Sequence, residues 1–222
     1  VLNNSFTASS SEIFSGALKD YNRGLIVGES TFGKGTVQNL IDLERFFPNT
    51  NLQFGQLKIT LAKYYRVNGG STQKIGVEPH IEFPNIYDRS IYTENARKNA
   101  LEWDKIRDIS FDDINYINEP LIDHLNTTFK NDVKSDSSFI NYLSFVEETK
   151  ENRKKKSISL NYSKRLSEKK ENDKKSNSLN TKVKITEIFP IKKETLLKKV
   201  QNDLYLRESV RLFVEMLSFK ES

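Results

Sequence analysis

Apolar positions from Ser11 onward fall at helical intervals. Phe14, Ala17, Leu18 and Tyr21 lie at i, i+3, i+4 and i+7 and share one helix face. Ser9, Ser10 or Ser11 can cap this helix, with Glu12 near its positive end, and Asn22 and Gly24 are its stop residues. Leu25-Ile26-Val27 is a short apolar run ending in Gly28 and reads as a buried strand. The order helix, strand, glycine-rich loop predicts an α/β core.

A second strand is predicted over Thr36 to Leu43. A third is predicted over Leu57 to Val67, where Leu57, Ile59 and Leu61 alternate with Lys58 and Thr60, the two-residue period of a strand with one face buried. Gly69-Gly70-Ser71 is a turn, Gly76-Val77-Glu78-Pro79 and Phe83-Pro84 predict short extended pieces, and Pro84-Asn85 marks a boundary. The pattern then weakens. Residues 86–150 offer fainter helical segments, the best carrying Phe139, Tyr142, Leu143 and Val146. Residues 151–182 have few apolar positions and read as a solvated helix or flexible connector. A helical face returns at 194–219 through Leu197, Val200, Leu204, Val210, Phe213, Val214 and Leu217. The expected organisation is an α/β (α+β) portion over residues 1–85, followed by a mainly helical region over 86–222.

Composition narrows the chemistry. The 222 residues contain no cysteine, which excludes thiol catalysis, thiolate metal sites and disulfides. The net charge of +5 comes largely from Arg153-Lys154-Lys155-Lys156 and later lysines. Glu168, Glu171 and Asp173 interleave with these, and Tyr162 is the one aromatic nearby, so a solvated face is favoured over nucleic-acid binding. His80 and His124 are the only histidines; without HExxH or paired spacing, no metal site is expected. A Ser-His-Asp triad through His80 lacks an evident carboxylate, and no carboxylate pair points to a glycosidase. No stretch is long or apolar enough to cross a membrane. The chain opens at Val1, only eight residues before Ser9, and is expected to be the C-terminal piece of a longer protein.

Two segments carry candidate chemistry. Gly28-Glu29-Ser30-Thr31-Phe32-Gly33-Lys34 fits the G-x-x-x-x-G-K of a phosphate-binding loop, but Gly35 stands where a Ser or Thr should bind Mg²⁺. Such a loop must also open a helix, whereas Thr36-Val37 favours a strand. Alternatively, Lys34 is a general base for a serine nucleophile, which requires it neutral, far below the usual lysine pKa of about 10.4. Gly33 and Gly35 would let the backbone bend closely around it, and Gln38, on the strand face of Thr36, could hold its amine. From spacing alone, Lys34 is more readily an exposed turn residue and Ser9 a helix cap.

Four blocks in order resemble the C-terminal processing peptidases, the tail-specific protease family. They are Ser9-Ser10-Ser11-Glu12-Ile13-Phe14; Gly28 through Gln38; Tyr65-Arg66-Val67-Asn68-Gly69-Gly70-Ser71-Thr72-Gln73; and Gly76-Val77-Glu78-Pro79. Asn99-Ala100-Leu101-Glu102-Trp103-Asp104 and Ser159-Leu160-Asn161-Tyr162 extend the likeness to the branch with a long helical C-terminal region. The resemblance implies a serine endopeptidase core with Ser9 as nucleophile, Lys34 as general base and Gln38 as the residue that orients the lysine. It implies an oxyanion hole using the Ser10 backbone N–H, with its partner glycine and a PDZ domain upstream of Val1 and no cofactor. It further implies protein substrates with apolar C-termini, a lipoprotein adaptor and a periplasmic location. Thr7, Ser10 and Ser30 depart from the family pattern, and His80 stands where it has Asp. The isolated chain is expected to be inactive. The competing readings are a non-catalytic remnant that only binds, and the nucleotide loop.

Overall fold

The computed structural model describes residues 1–48, 52–178 and 203–221. They form a mixed α/β protein with a helical C-terminal region, divided into two compact units. The first comprises Val1, Asn3–Pro79 and Tyr87–Tyr116.

Within it, strand β1 (Leu2–Asn3) leads into helix α1 (Ser10–Asp20), and β2 (Val27–Gly28) follows. Val27 N–H donates to Val1 O (2.9 Å) and Glu29 N–H to Asn3 O (3.0 Å). Within the Leu25–Val27 run Ile26 and Val27 are buried, at 0% and 4% exposure, and Leu25 is half-buried, but the ladder is only two residues long. Strands β3 (Thr36–Asp42) and β4 (Gln56–Lys63) form an antiparallel hairpin, pairing Asn39 with Ile59 and Ile41 with Leu57, and its register shifts between Val37 and Gln38. A 3₁₀ turn, Leu43–Phe46, leaves β3.

Two expectations need correction here. The strand predicted over Leu57 to Val67 ends at Lys63, because Tyr65 bridges Ser71 and Gly69 N–H closes onto Arg66 O (2.8 Å), turning the chain back on itself. Its apolar face is also not buried: Leu57 and Leu61 are 49% and 59% exposed, since β4 pairs only with β3 among the described residues.

Helix α1 buries the face opposite to expectation. Glu12, Ser15 and Gly16 point inward, whereas Phe14 is 59% exposed. The interior of this unit is polar as well as apolar, and Glu12, Ser5, Thr31, Thr72 and Gln73 are all fully buried. Burial of such groups is tolerated only with hydrogen-bond partners, so α1 orients its polar stripe toward them.

In the second unit, β5 (Ile81–Glu82) precedes α3 (Glu119–Ser135), α4 (Ser137–Lys154), α5 (Tyr162–Ser178) and α6 (Leu204–Glu221); a four-residue turn of helix, α2 (Arg89–Tyr92), belongs to the first unit. Asn118 caps α3 by accepting Leu121 N–H (3.1 Å), with Pro120 in the first turn. Asp136 caps α4 through Ser138 N–H (2.7 Å). The core joins Ile81, Phe83, Leu121, Leu125, Phe129, Phe139, Tyr142, Val146, Leu212 and Met216. Phe139, Tyr142 and Val146 were legible as a helical face. Helix α5 runs through the charged stretch with no buried side chain at 162–174, the solvated helix of the two alternatives. On α6 the buried stripe is Glu208, Leu212 and Met216, while Val210, Phe213 and Val214 are 44–56% exposed, so the predicted face is again not the buried one. Leu197 and Val200 lie outside the described residues.

Candidate active site

Ser9 is the N-cap of α1 and is half-buried. Its φ of 58° and ψ of −118° lie in a region that a residue with a Cβ rarely occupies. Such strain costs on the order of 1–3 kcal/mol and persists only where surrounding contacts enforce it. A sharp turn leading into a helix also projects a serine hydroxyl away from the backbone.

Glu12 supplies the enforcing contacts. One carboxylate oxygen accepts Ser9 N–H (2.8 Å) and Lys34 N–H (2.9 Å). The other accepts the Thr31 hydroxyl (2.6 Å) and Gly33 N–H (2.7 Å). Four donors fill a carboxylate's acceptor capacity, and charge-assisted bonds are the stronger kind. The serine turn and the lysine loop are thereby fastened to one buried group. Thr31 Oγ1 in turn accepts Val77 N–H (2.7 Å), tying in the Gly76-Val77 block.

The glycines of the loop have distinct reasons. Gly33 has φ +92°, and a Cβ there would lie 2.8 Å from the Lys74 carbonyl carbon. A Cβ on Gly35 would lie 2.8 Å from Gln73 N and 2.9 Å from Ser71 Oγ. This close approach lets buried Gln73 accept Gly35 N–H (2.9 Å) while its amide donates to Glu94 (3.2 Å). Arg89 adds a brace, donating to Ser30 O (2.6 Å), Thr31 O (2.5 Å) and Ile75 O (2.6 Å).

The Tyr65–Gln73 block is a latch on α1 and on the loop. Arg66 grips Asp20 with two guanidinium nitrogens, Nε at 2.8 Å, and Asn68 donates to the same carboxylate (3.1 Å). Tyr64, the residue after β4, donates its N–H to Gly35 O (3.0 Å). Its hydroxyl accepts from Thr72 Oγ1 (2.7 Å) and donates to Ser9 O at 3.4 Å. Burial pushes the phenol up to about 12, so it remains a donor.

Lys34 is half-buried, and a strand rather than a helix follows it, which removes the helix N-terminus that a phosphate loop requires. Gln38 lies exposed on β3, its amide nitrogen making a long contact to Thr60 Oγ1 (3.5 Å); no hydrogen bond joins it to Lys34 among the described residues. Ser10 is the first helical residue, and its N–H has no acceptor among the described residues. His80 falls in the second unit, and His124 pairs there with Glu215 (2.7 Å). No cluster of three potential metal ligands occurs among the described residues.

Glu12, Thr31 and Gln73 lie within the motif blocks, but sequence reasoning gave them no role in the site, and it did not single out Tyr64. For Glu12 the role had a readable signal: a serine cap followed three residues later by glutamate is a capping box.

Residues 1–83 match Peptidase family S41, and residues 87–218 match the C-terminal domain of tail specific protease. The chain belongs to the tail-specific protease family. It is 40% identical to the tail-specific protease of Haemophilus influenzae over 162 residues, 72% of this chain and 23% of that relative. It is 44% identical to the chloroplastic C-terminal processing peptidase of Tetradesmus obliquus over 82 residues, 37% of this chain and 16% of that one. It is also 44% identical to the carboxy-terminal-processing protease of Bartonella bacilliformis over 81 residues, 36% of this chain and 17% of that one. The chain thus spans about a quarter or less of the length of these relatives.

Proposed function

We propose that Ser9 and Lys34 form the catalytic dyad of a serine endopeptidase that acts on proteins through their apolar C-terminal tails. Lys34 Nζ takes the Ser9 hydroxyl proton as Oγ bonds to the scissile carbonyl carbon. The resulting oxyanion is held in part by the Ser10 N–H. The C–N bond breaks, the leaving amine takes the proton from Lys34, and water then hydrolyses the acyl ester with the lysine again as base. Gln38 orients the lysine. Its amide oxygen accepts nothing among the described residues and is free for that purpose.

The observation that carries the reading is the shared carboxylate of Glu12, which fastens the strained serine turn and the lysine loop together. A periplasmic location and a lipoprotein adaptor belong to the same proposal. No helix among the described residues is long and apolar enough to cross a membrane.

The test is turnover of a substrate with an apolar tail by a chain that includes the remaining length of its relatives. Ser9→Ala and Lys34→Ala should each abolish it. Full activity in Lys34→Ala would remove the dyad, and an inactive parent with an intact fold would favour a remnant that only binds.

A further inference from the structure

Tyr64 touches the peptide unit on which the candidate oxyanion site depends. Its hydroxyl donates to Ser9 O (3.4 Å). Ser9 C=O and Ser10 N–H are the two ends of one planar amide. The orientation of that carbonyl therefore fixes where the Ser10 N–H points. The same carbonyl accepts Glu12 N–H (2.9 Å) and Ile13 N–H (3.1 Å), so the helix holds it from one side and Tyr64 from the other.

The chain of donors is directional. Thr72 Oγ1 donates to Tyr64 (2.7 Å), Tyr64 donates to Ser9 O, and the Ser10 N–H at the far end has no acceptor among the described residues. Hydrogen bonds in series polarise one another. An amide whose oxygen accepts bonds has a more acidic N–H, and hence a stronger donor to developing negative charge. Tyr64 is also anchored independently of this role, because its backbone N–H donates to Gly35 O on the lysine loop (3.0 Å). Its hydroxyl is thus held near Ser9 by the loop that carries the candidate base.

We infer that Tyr64 is a positioning residue for the oxyanion hole: it sets and polarises the Ser9–Ser10 peptide through Thr72 and so acts on the transition state without touching substrate. The inference rests on the Ser9–Lys34 reading.

The experiment is a kinetic comparison of Tyr64→Phe with wild type in a chain that includes the remaining length of its relatives. Removing one neutral hydrogen bond predicts a fall in kcat of about 3- to 10-fold. KM should be unchanged, and affinity for a peptide boronate, which mimics the tetrahedral state, should fall by the same factor as kcat/KM. A merely structural role would instead move KM or Tm and leave boronate and substrate affinity changing together. Thr72→Val, which removes the donor to Tyr64, should show the same signature at smaller size and decides the matter if Tyr64→Phe fails to fold. Wild-type kcat and boronate affinity in the variant would overturn the role of Tyr64 while an inactive Ser9→Ala leaves the dyad standing. An active Ser9→Ala would overturn both.

Discussion

Ser9 and Lys34, 25 residues apart in the chain, donate their backbone N–H groups to the same oxygen of Glu12, at 2.8 and 2.9 Å. The relationship is one of backbones. It sets where two segments begin, and the side chains follow from there. It also explains how Ser9 tolerates a positive φ: its N–H is held by a carboxylate that the lysine loop holds in turn.

Glu12→Ala would leave four donors without their acceptor. Stability should fall by about 3 kcal/mol or more, as expected for several unsatisfied buried groups. Glu12→Gln, which keeps one acceptor oxygen, should lose less. Urea unfolding followed by fluorescence of Trp103, in the same unit, measures both. An unchanged midpoint in Glu12→Ala would show that the shared carboxylate is not what holds the loop.

The Arg66–Asp20 pair predicts that charge is not enough. Arg66→Lys keeps the cation but loses the two-pronged grip, and should cost about 1–2 kcal/mol. Arg66→Ala should cost about 3 kcal/mol, because Asp20 is almost fully buried in this pair. Equal stability of Lys and Ala variants would contradict the geometry.

Gly35→Ala places a methyl group 2.8 Å from the Gln73 backbone nitrogen. Overpacking against backbone should destabilise by about 2 kcal/mol. Differential scanning calorimetry should then show a Tm lowered by about 4–8 °C.

Glu208 gives a pH dependence with a defined sign. It is 1% exposed, and among the described residues neither its Oε1 nor the buried Asp132 Oδ2 has a hydrogen-bond partner. Burial pushes its carboxyl above the ordinary 4.5, and the Asp132 charge adds to this, against Arg211 and Arg207. The folded state therefore holds this proton more tightly than the unfolded one. The associated stability is fully present below about pH 4.5 and is lost as pH rises through the folded pKa. Glu208→Gln should remove that loss, so the Tm of the variant should exceed that of wild type by a margin that grows with pH. Parallel Tm curves would contradict it.

Much of the architecture was legible because it is local. The α1 helix and the Phe139–Val146 face follow from short-range periodicity, and the β3 strand from the β-branched Thr36-Val37 after Gly35. The failures share a cause. On α1 and α6 the most apolar face was taken as the buried one, yet each helix buries a stripe containing a glutamate, Glu12 and Glu208. Whether a carboxyl can be buried depends on surroundings distant in sequence, which periodicity cannot register. Likewise, the serine and lysine were legible as candidates through motif resemblance. Tyr64 and Gln73 were not, because their part is set by backbone atoms of Ser9 and Gly35 brought close only in the fold.

The central claim, that Ser9 is a nucleophile activated by Lys34, is tested most directly by covalent trapping. A chain that includes the remaining length of its relatives would be treated with a serine-reactive fluorophosphonate and the adduct located by peptide mass spectrometry. One adduct is expected, on Ser9, and its rate of formation should fall about 10²- to 10⁴-fold in Lys34→Ala, the usual contribution of a positioned base. An adduct elsewhere, or labelling of Ser9 at the wild-type rate without Lys34, would contradict it.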